Sequence, residues 1–300
     1  CTICNVNYVI DITVAGTDGI AFEKGEYTFD YNTKVHTINT TKEVMISGTT
    51  KREKIVVAKD VSAKIIFKGV SIDVSAIGDA CAFKIEDKST GNVTITLADD
   101  TENKLKSGSK CAGLQKNGNY ISETQGKLTI QGGIKGTGTL EASGNSGGAG
   151  IGGGEYCQAS NITINGGKVT ATGSVGGAGI GGGDWGKGSY ITINGGKVTA
   201  TGGTGLSGGG AGIGGGFDSA GSNITISGGT VKATGGHQGA GIGGGYYAIG
   251  SNIIINGGSV KATAGNYANA IGGGSGKDAV TPTLADKTTP VYLLEIANKN

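Results

Sequence analysis

Apolar and polar positions alternate with a period of two through most of the chain, in short runs broken by glycine. In NITINGGKVTATG, starting at Asn161, Ile162 and Ile164 flank Thr163, and Val169 and Ala171 alternate with Thr170 and Thr172. Period-two alternation over four to six residues predicts strands with one buried face, not helices. Close copies start at Tyr190, Asn223 and Asn252, and the interval from Tyr190 to Asn223 is the longest. A looser copy starts at Lys127. Between the copies stands GAGIGGG, at Gly148, Gly177, Gly210 and Gly239, with a worn version at Asn269. Three strands per ~30 residues, each closed by a glycine turn, predict one coil of a parallel β-helix.

Stacking such coils sets equivalent residues in columns. Ile162, Ile191, Ile224 and Ile253 form one inward column, and Ile164, Ile193, Ile226 and Ile255 the next. Val169, Val198, Val231 and Val260 form a third, and Ile151, Ile180, Ile213, Ile242 and Ile271 a fourth. The pattern weakens upstream, where Ile65, Phe67, Val93 and Ile95 take the first-strand slot. The predicted fold is all-β, a three-sided parallel β-helix of about seven to eight coils over residues 61–280. Within it, 61–126 form degenerate coils and 127–280 regular ones. Residues 1–60, more charged and irregular, are expected to cap an end that would otherwise expose a sheet edge. Residues 281–300, with Pro282, Pro290 and VYLLEI, are read as an exit toward a following element in a longer chain.

Composition narrows the chemistry. Sixty-three of 300 residues are glycine, about three times ordinary usage, without the every-third-residue spacing of collagen. A formal net charge of +2 does not point to nucleic acid, and no apolar run approaches the ~20 residues of a membrane helix. The five cysteines are too few for a disulfide scaffold. Cys1 is either a lipid-modified mature N-terminus or a boundary of the fragment. Cys81 and Cys111 lie one coil apart, either bonded or as two free thiols. From residue 127 to 280 the carboxylates are Glu141, Glu155, Asp184, Asp218 and Asp278, with one histidine, His237, and no arginine. Paired carboxylates and nucleophilic triads are thus absent from the regular coils, and the chain is expected not to be an enzyme. The acidic stretch Asp79–Glu102 is the place where a lyase or hydrolase would keep its site; it reads better as solvated turn charge. No cofactor is required, and Ca²⁺ is the cation such a coil would accept.

The third strand shows glycine at its outward positions, Gly150 and Gly152, Gly179 and Gly181, Gly212 and Gly214, Gly241 and Gly243. These predict a smooth strip that something approaches closely. Directly after each GGG come Glu155-Tyr156, Asp184-Trp185, Phe217-Asp218 and Tyr246-Tyr247. Rings with neighbouring carboxylates are how sugar rings are commonly held. These eight residues are the candidate ligand site, for an extracellular polysaccharide, acidic ones included. The alternative is that the rings cover their own glycines. The outward Thr positions of the second strand, interrupted by Lys232 and Lys261, resemble ice-binding arrays only in part. The recurring Asn161, Asn223 and Asn92 are read as a stacked turn ladder.

The run NVTITLADDTENKLKSGSKCAGLQKNG, followed by KLTIQGG and the GGAGIGGG/NITINGG units, resembles a family of secreted or wall-attached proteins of anaerobic Gram-positive bacteria, known as carbohydrate-binding-domain proteins. The resemblance covers residues 40–296, including TPVYLLEI. It implies a right-handed β-helix, a cell-surface or extracellular location and glycan adhesion, in some members with bound calcium. It supplies no catalytic motif. A rigid stalk or fibre-forming solenoid is the competing reading, and a polysaccharide lyase or hydrolase the second.

Overall fold

The computed structural model describes residues 18–118, 125–278 and 293–299. The chain is all-β, a parallel β-helix. Its first face stacks Val93–Leu97, Leu128–Gly132, Ala159–Ile164, Gly188–Ile193, Gly221–Ile226 and Gly250–Ile255. Its second face stacks Glu102–Lys106, Thr139–Ser143, Lys168–Thr172, Lys197–Thr201, Thr230–Thr234 and Ser259–Asn266. The long strand Lys64–Asp73 pairs with both ladders and joins them into one sheet. The third face is a separate sheet, and in the regular coils its strands are two residues long, as in Ile151–Gly152 and Ile180–Gly181.

The predicted columns are present in register. Ile162 pairs with Ile191, Ile191 with Ile224, and Ile224 with Ile253. Val169, Val198, Val231 and Val260 align likewise, as do the third-face isoleucines from Ile151 to Ile271. All of these side chains are buried in one continuous core. A single coil buries little alone; the neighbour ~4.8 Å away covers it.

Parallel stacking begins upstream of residue 61. Val35–Ile38 pairs in parallel with Lys54–Val57 on the third face, and Glu43–Thr50 with Lys64–Asp73. The paired Val35 and Lys54 stand much closer in sequence than Ile162 and Ile191 do, so this tight coil does not share the common period. The strands that differ in kind are Gly19–Lys24 and Thr28–Asp30, which pair antiparallel with the first coil. The segment Leu293–Lys299, expected to open another element, pairs in parallel with Ser259–Asn266 and extends the second-face ladder. Cys1, Cys4, Pro282 and Pro290 lie outside the described residues. Cys81 and Cys111 are joined by a disulfide between successive coils, with Cα atoms 5.3 Å apart. No described helix is long and apolar enough to cross a membrane.

Candidate functional site

Each regular coil leaves its third-face strand through a tight turn. The turns are closed by amide bonds from Cys157 to the Gly154 carbonyl (2.9 Å), Gly186 to Gly183 (2.8 Å), Ser219 to Gly216 (3.1 Å) and Ala248 to Gly245 (3.1 Å). The two central residues of each turn are the predicted site residues, and they divide into two columns. Glu155, Asp184, Phe217 and Tyr246 hold the first position. Tyr156, Trp185, Asp218 and Tyr247 hold the second, with left-handed φ of 59°, 58°, 48° and 54°. Backbone bonds between successive turns fix the spacing: Tyr156 donates to the Asp184 carbonyl (2.8 Å), Trp185 to Phe217 (3.1 Å) and Asp218 to Tyr246 (3.0 Å).

The two columns have different surroundings. First-position amides donate across to the turn that follows the second-face strand, Asp184 to the Gly147 carbonyl and Phe217 to Gly176 (both 2.7 Å). Their side chains therefore lie over that turn and are half-buried. Asp184 lies against Gly176 and Gly147. Phe217 and Tyr246 lie under Gly208, where a Cβ would stand 2.8 Å from the Phe217 ring and 2.7 Å from the Tyr246 ring. Gly208 belongs to the small hairpin that lengthens the repeat between Tyr190 and Asn223, held by a Gly205 amide to Gly208 carbonyl bond of 2.8 Å. The second column faces solvent: Tyr156 is 61% exposed, Trp185 49% and Tyr247 54%. Trp185 meets Phe217 edge-on at 5.1 Å, Phe217 lies 5.4 Å from Tyr246, and Tyr246 lies 4.0 Å from Tyr247.

Partial burial pushes the Asp184 carboxyl up to about 6; the Glu155 carboxylate adds to the rise and the Trp185 amide opposes it. Low polarity and a like charge both disfavour the ionised form.

The glycines differ from the expectation of an open strip. Those of the third strand, from Gly150 to Gly243, are buried. Gly152, Gly181, Gly214 and Gly243 hold φ between +134° and +136°, a conformation that side-chain-bearing residues avoid. A Cβ on Gly181 would collide with the Gly214 carbonyl of the next coil, and one on Gly150 would stand 2.8 Å from the Ala171 carbonyl carbon. What approaches these glycines is the protein's own backbone. A third side only two residues long folds the coil so tightly that no side chain fits there.

The acids of Asp79–Glu102 are spread over separate turns. Asp99 accepts from the Lys135 and Thr137 amides (2.9 and 3.2 Å). Asp100 pairs with Lys135 (3.0 Å), and Glu86 and Asp87 with Lys84 (3.3 and 3.7 Å). Among the described residues no group of three or more His, Cys, Asp or Glu side chains is placed to hold a metal ion. Asn252 donates its side-chain amide to that of Asn223, whereas Asn161 donates to the Gln125 carbonyl and Asn92 accepts from the Lys127 amide, so the three asparagines read as a ladder do not stack on one another. Tyr190 takes the same left-handed position in the coil between Asn161 and Asn223. Reading the alternation alone missed Lys116, which is in register with Ile85 and through it Val57, both core positions. Burial lowers its pKa to about 8.

The chain is similar to the beta helix repeat family, whose pattern matches residues 134–155, 162–184, 191–217, 224–246 and 253–275. The first four matches end on Glu155, Asp184, Phe217 and Tyr246, one residue short of the exposed column. No curated protein and no solved structure matches the chain.

Proposed function

We propose that this β-helix binds polysaccharide without catalysing a reaction on it, as a secreted or cell-surface protein. The site is the exposed column Tyr156, Trp185, Asp218 and Tyr247, with Glu155 and Asp184 behind it. One observation carries this reading: in one column of turns three bulky rings occupy left-handed positions and leave about half their surface in water. That conformation costs about 1–2 kcal/mol for an L-residue, and such turns ordinarily take Gly or Asn. Phe217 and Tyr246 lie under Gly208 and Tyr247 lies against Gly276, whereas neither Tyr156 nor Trp185 is among the nearest contacts of any described glycine. Tyr156 and Trp185 stand one coil apart, ~4.8 Å and comparable to one sugar unit, with Tyr247 two coils beyond, so an extended chain meets successive coils. Asp218 accepts from hydroxyls between Trp185 and Tyr247. The resemblance to carbohydrate-binding surface proteins points the same way.

A glycan array probed with the chain and with the triple variant Tyr156→Asn/Trp185→Asn/Tyr247→Asn tests this. Asn keeps the left-handed turn and removes the rings. The expected result is a few hits that the variant loses while keeping its melting temperature. Silence of the unaltered chain, or hits the variant retains, would overturn the site. Turnover of any bound glycan would overturn the non-catalytic part.

A further inference from the structure

Charge is segregated in the coils that follow Glu141. Between residues 142 and 276 the three carboxylates, Glu155, Asp184 and Asp218, all sit in the ring-bearing turns, while four of five lysines, Lys168, Lys197, Lys232 and Lys261, sit on second-face strands. Lys168 pairs in register with Lys197, and Lys232 with Lys261. Like charges directly opposed across a ladder weaken it. Upstream on the same face the lysines are neutralised: Lys104 lies 3.7 Å from Glu102 and 3.9 Å from Glu141, and Lys106 lies 3.7 Å from Asp73. Among the described residues, Lys168, Lys197 and Lys232 have no carboxylate within ion-pair distance.

We propose that this face is a second binding site, separate from the ring column, for a linear polysaccharide carrying one anionic group per sugar unit. Lys168, Lys197 and Lys232 supply one cation on each of three successive coils, at ~4.8 Å along the axis. Duplex DNA carries one charge per ~1.7 Å, far denser than this face matches, whereas a polyuronate presents one carboxylate per sugar. Thr170 and Thr199 continue the Lys232–Lys261 column, beside Lys168 and Lys197 on the same strands, and offer hydroxyls to the sugar. Attraction between exposed charges of this kind is screened by salt.

The test is affinity electrophoresis of the intact chain through gels containing polygalacturonate. The expected result is retardation that fades as salt rises and falls roughly tenfold in apparent affinity, about 1.4 kcal/mol, in Lys168→Thr/Lys197→Thr/Lys232→Thr. Thr stands at the equivalent positions Thr139, Thr230 and Thr199 of neighbouring coils, so the variant keeps its melting temperature. No retardation, an unaffected lysine variant, or stronger retention by duplex DNA would each overturn the proposal. Neutral glycans bound at the rings with no polygalacturonate retardation would sink this site and leave the ring site standing.

Discussion

Replacing Gly181 with Ala separates two roles for the third-strand glycines, coil packing and ligand contact. Gly181 holds φ +136° and is buried, and an added Cβ would collide with the Gly214 carbonyl of the next coil. Holding Ala in so sparsely populated a conformation costs about 1–3 kcal/mol. Relieving the overlap by shifting backbone costs another ~1–3 kcal/mol. The sum, roughly 2–6 kcal/mol, is a large share of the ~5–15 kcal/mol that stabilises an ordinary domain. Gly78 is the control: its φ is ordinary, nothing lies within 4 Å of its added Cβ, and Gly78→Ala should stay within ~0.5 kcal/mol. Urea unfolding followed by far-ultraviolet circular dichroism reads both. A Gly181→Ala midpoint equal to that of the unaltered chain would refute the packing argument and return these glycines to the ligand surface.

Asp184 holds its proton to about pH 6 rather than its ordinary 3.8, so the native state binds the extra proton in that window and stability falls as pH rises through it. Because the group is half-exposed and screened, Asp184→Asn should gain only about 1 kcal/mol at pH 7.5 and nothing near pH 3, read by melting at both. Lys116, lowered to about 8, makes stability rise between about pH 8 and 10.5; Lys116→Met should add about 2 kcal/mol at pH 7 and abolish that rise. Reducing the Cys81–Cys111 disulfide, 30 residues apart, should lower unfolding free energy by about 2–4 kcal/mol on the loop-entropy argument, measured by urea unfolding with and without reductant. Phe217→Ala should cost about 2–3 kcal/mol through lost ring contacts, whereas Trp185→Asn should stay within ~1 kcal/mol in the same assay.

The columns from Ile162 to Ile253 and from Val169 to Val260 were legible because near-identical repeats leave one register that buries every apolar residue. The coil beginning at Val35 was hidden because it closes already at Lys54, with neither the GGG signature nor the common period. The glycine strip was legible in position but not in meaning. Alternation marks Gly150 and Gly152 as outward, yet whether an outward position meets solvent or backbone depends on how sharply the coil bends. The candidate residues Glu155–Tyr156 through Tyr246–Tyr247 fall in one turn as the spacing requires. Their division into covered and exposed columns follows from φ and from the hairpin around Gly208, neither of which a residue pattern carries. Lys116 escaped notice because a single lysine in a core column breaks the alternation that identifies the column.

Trp185 is the chain's one tryptophan, and it stands half-exposed in the proposed site. Its emission therefore reports on that site alone. Titrating the oligosaccharide selected on the array should shift this emission to the blue, saturate, and protect the indole from a soluble quencher. Saturable binding of that oligosaccharide with the Trp185 emission and quenching unchanged would contradict the account.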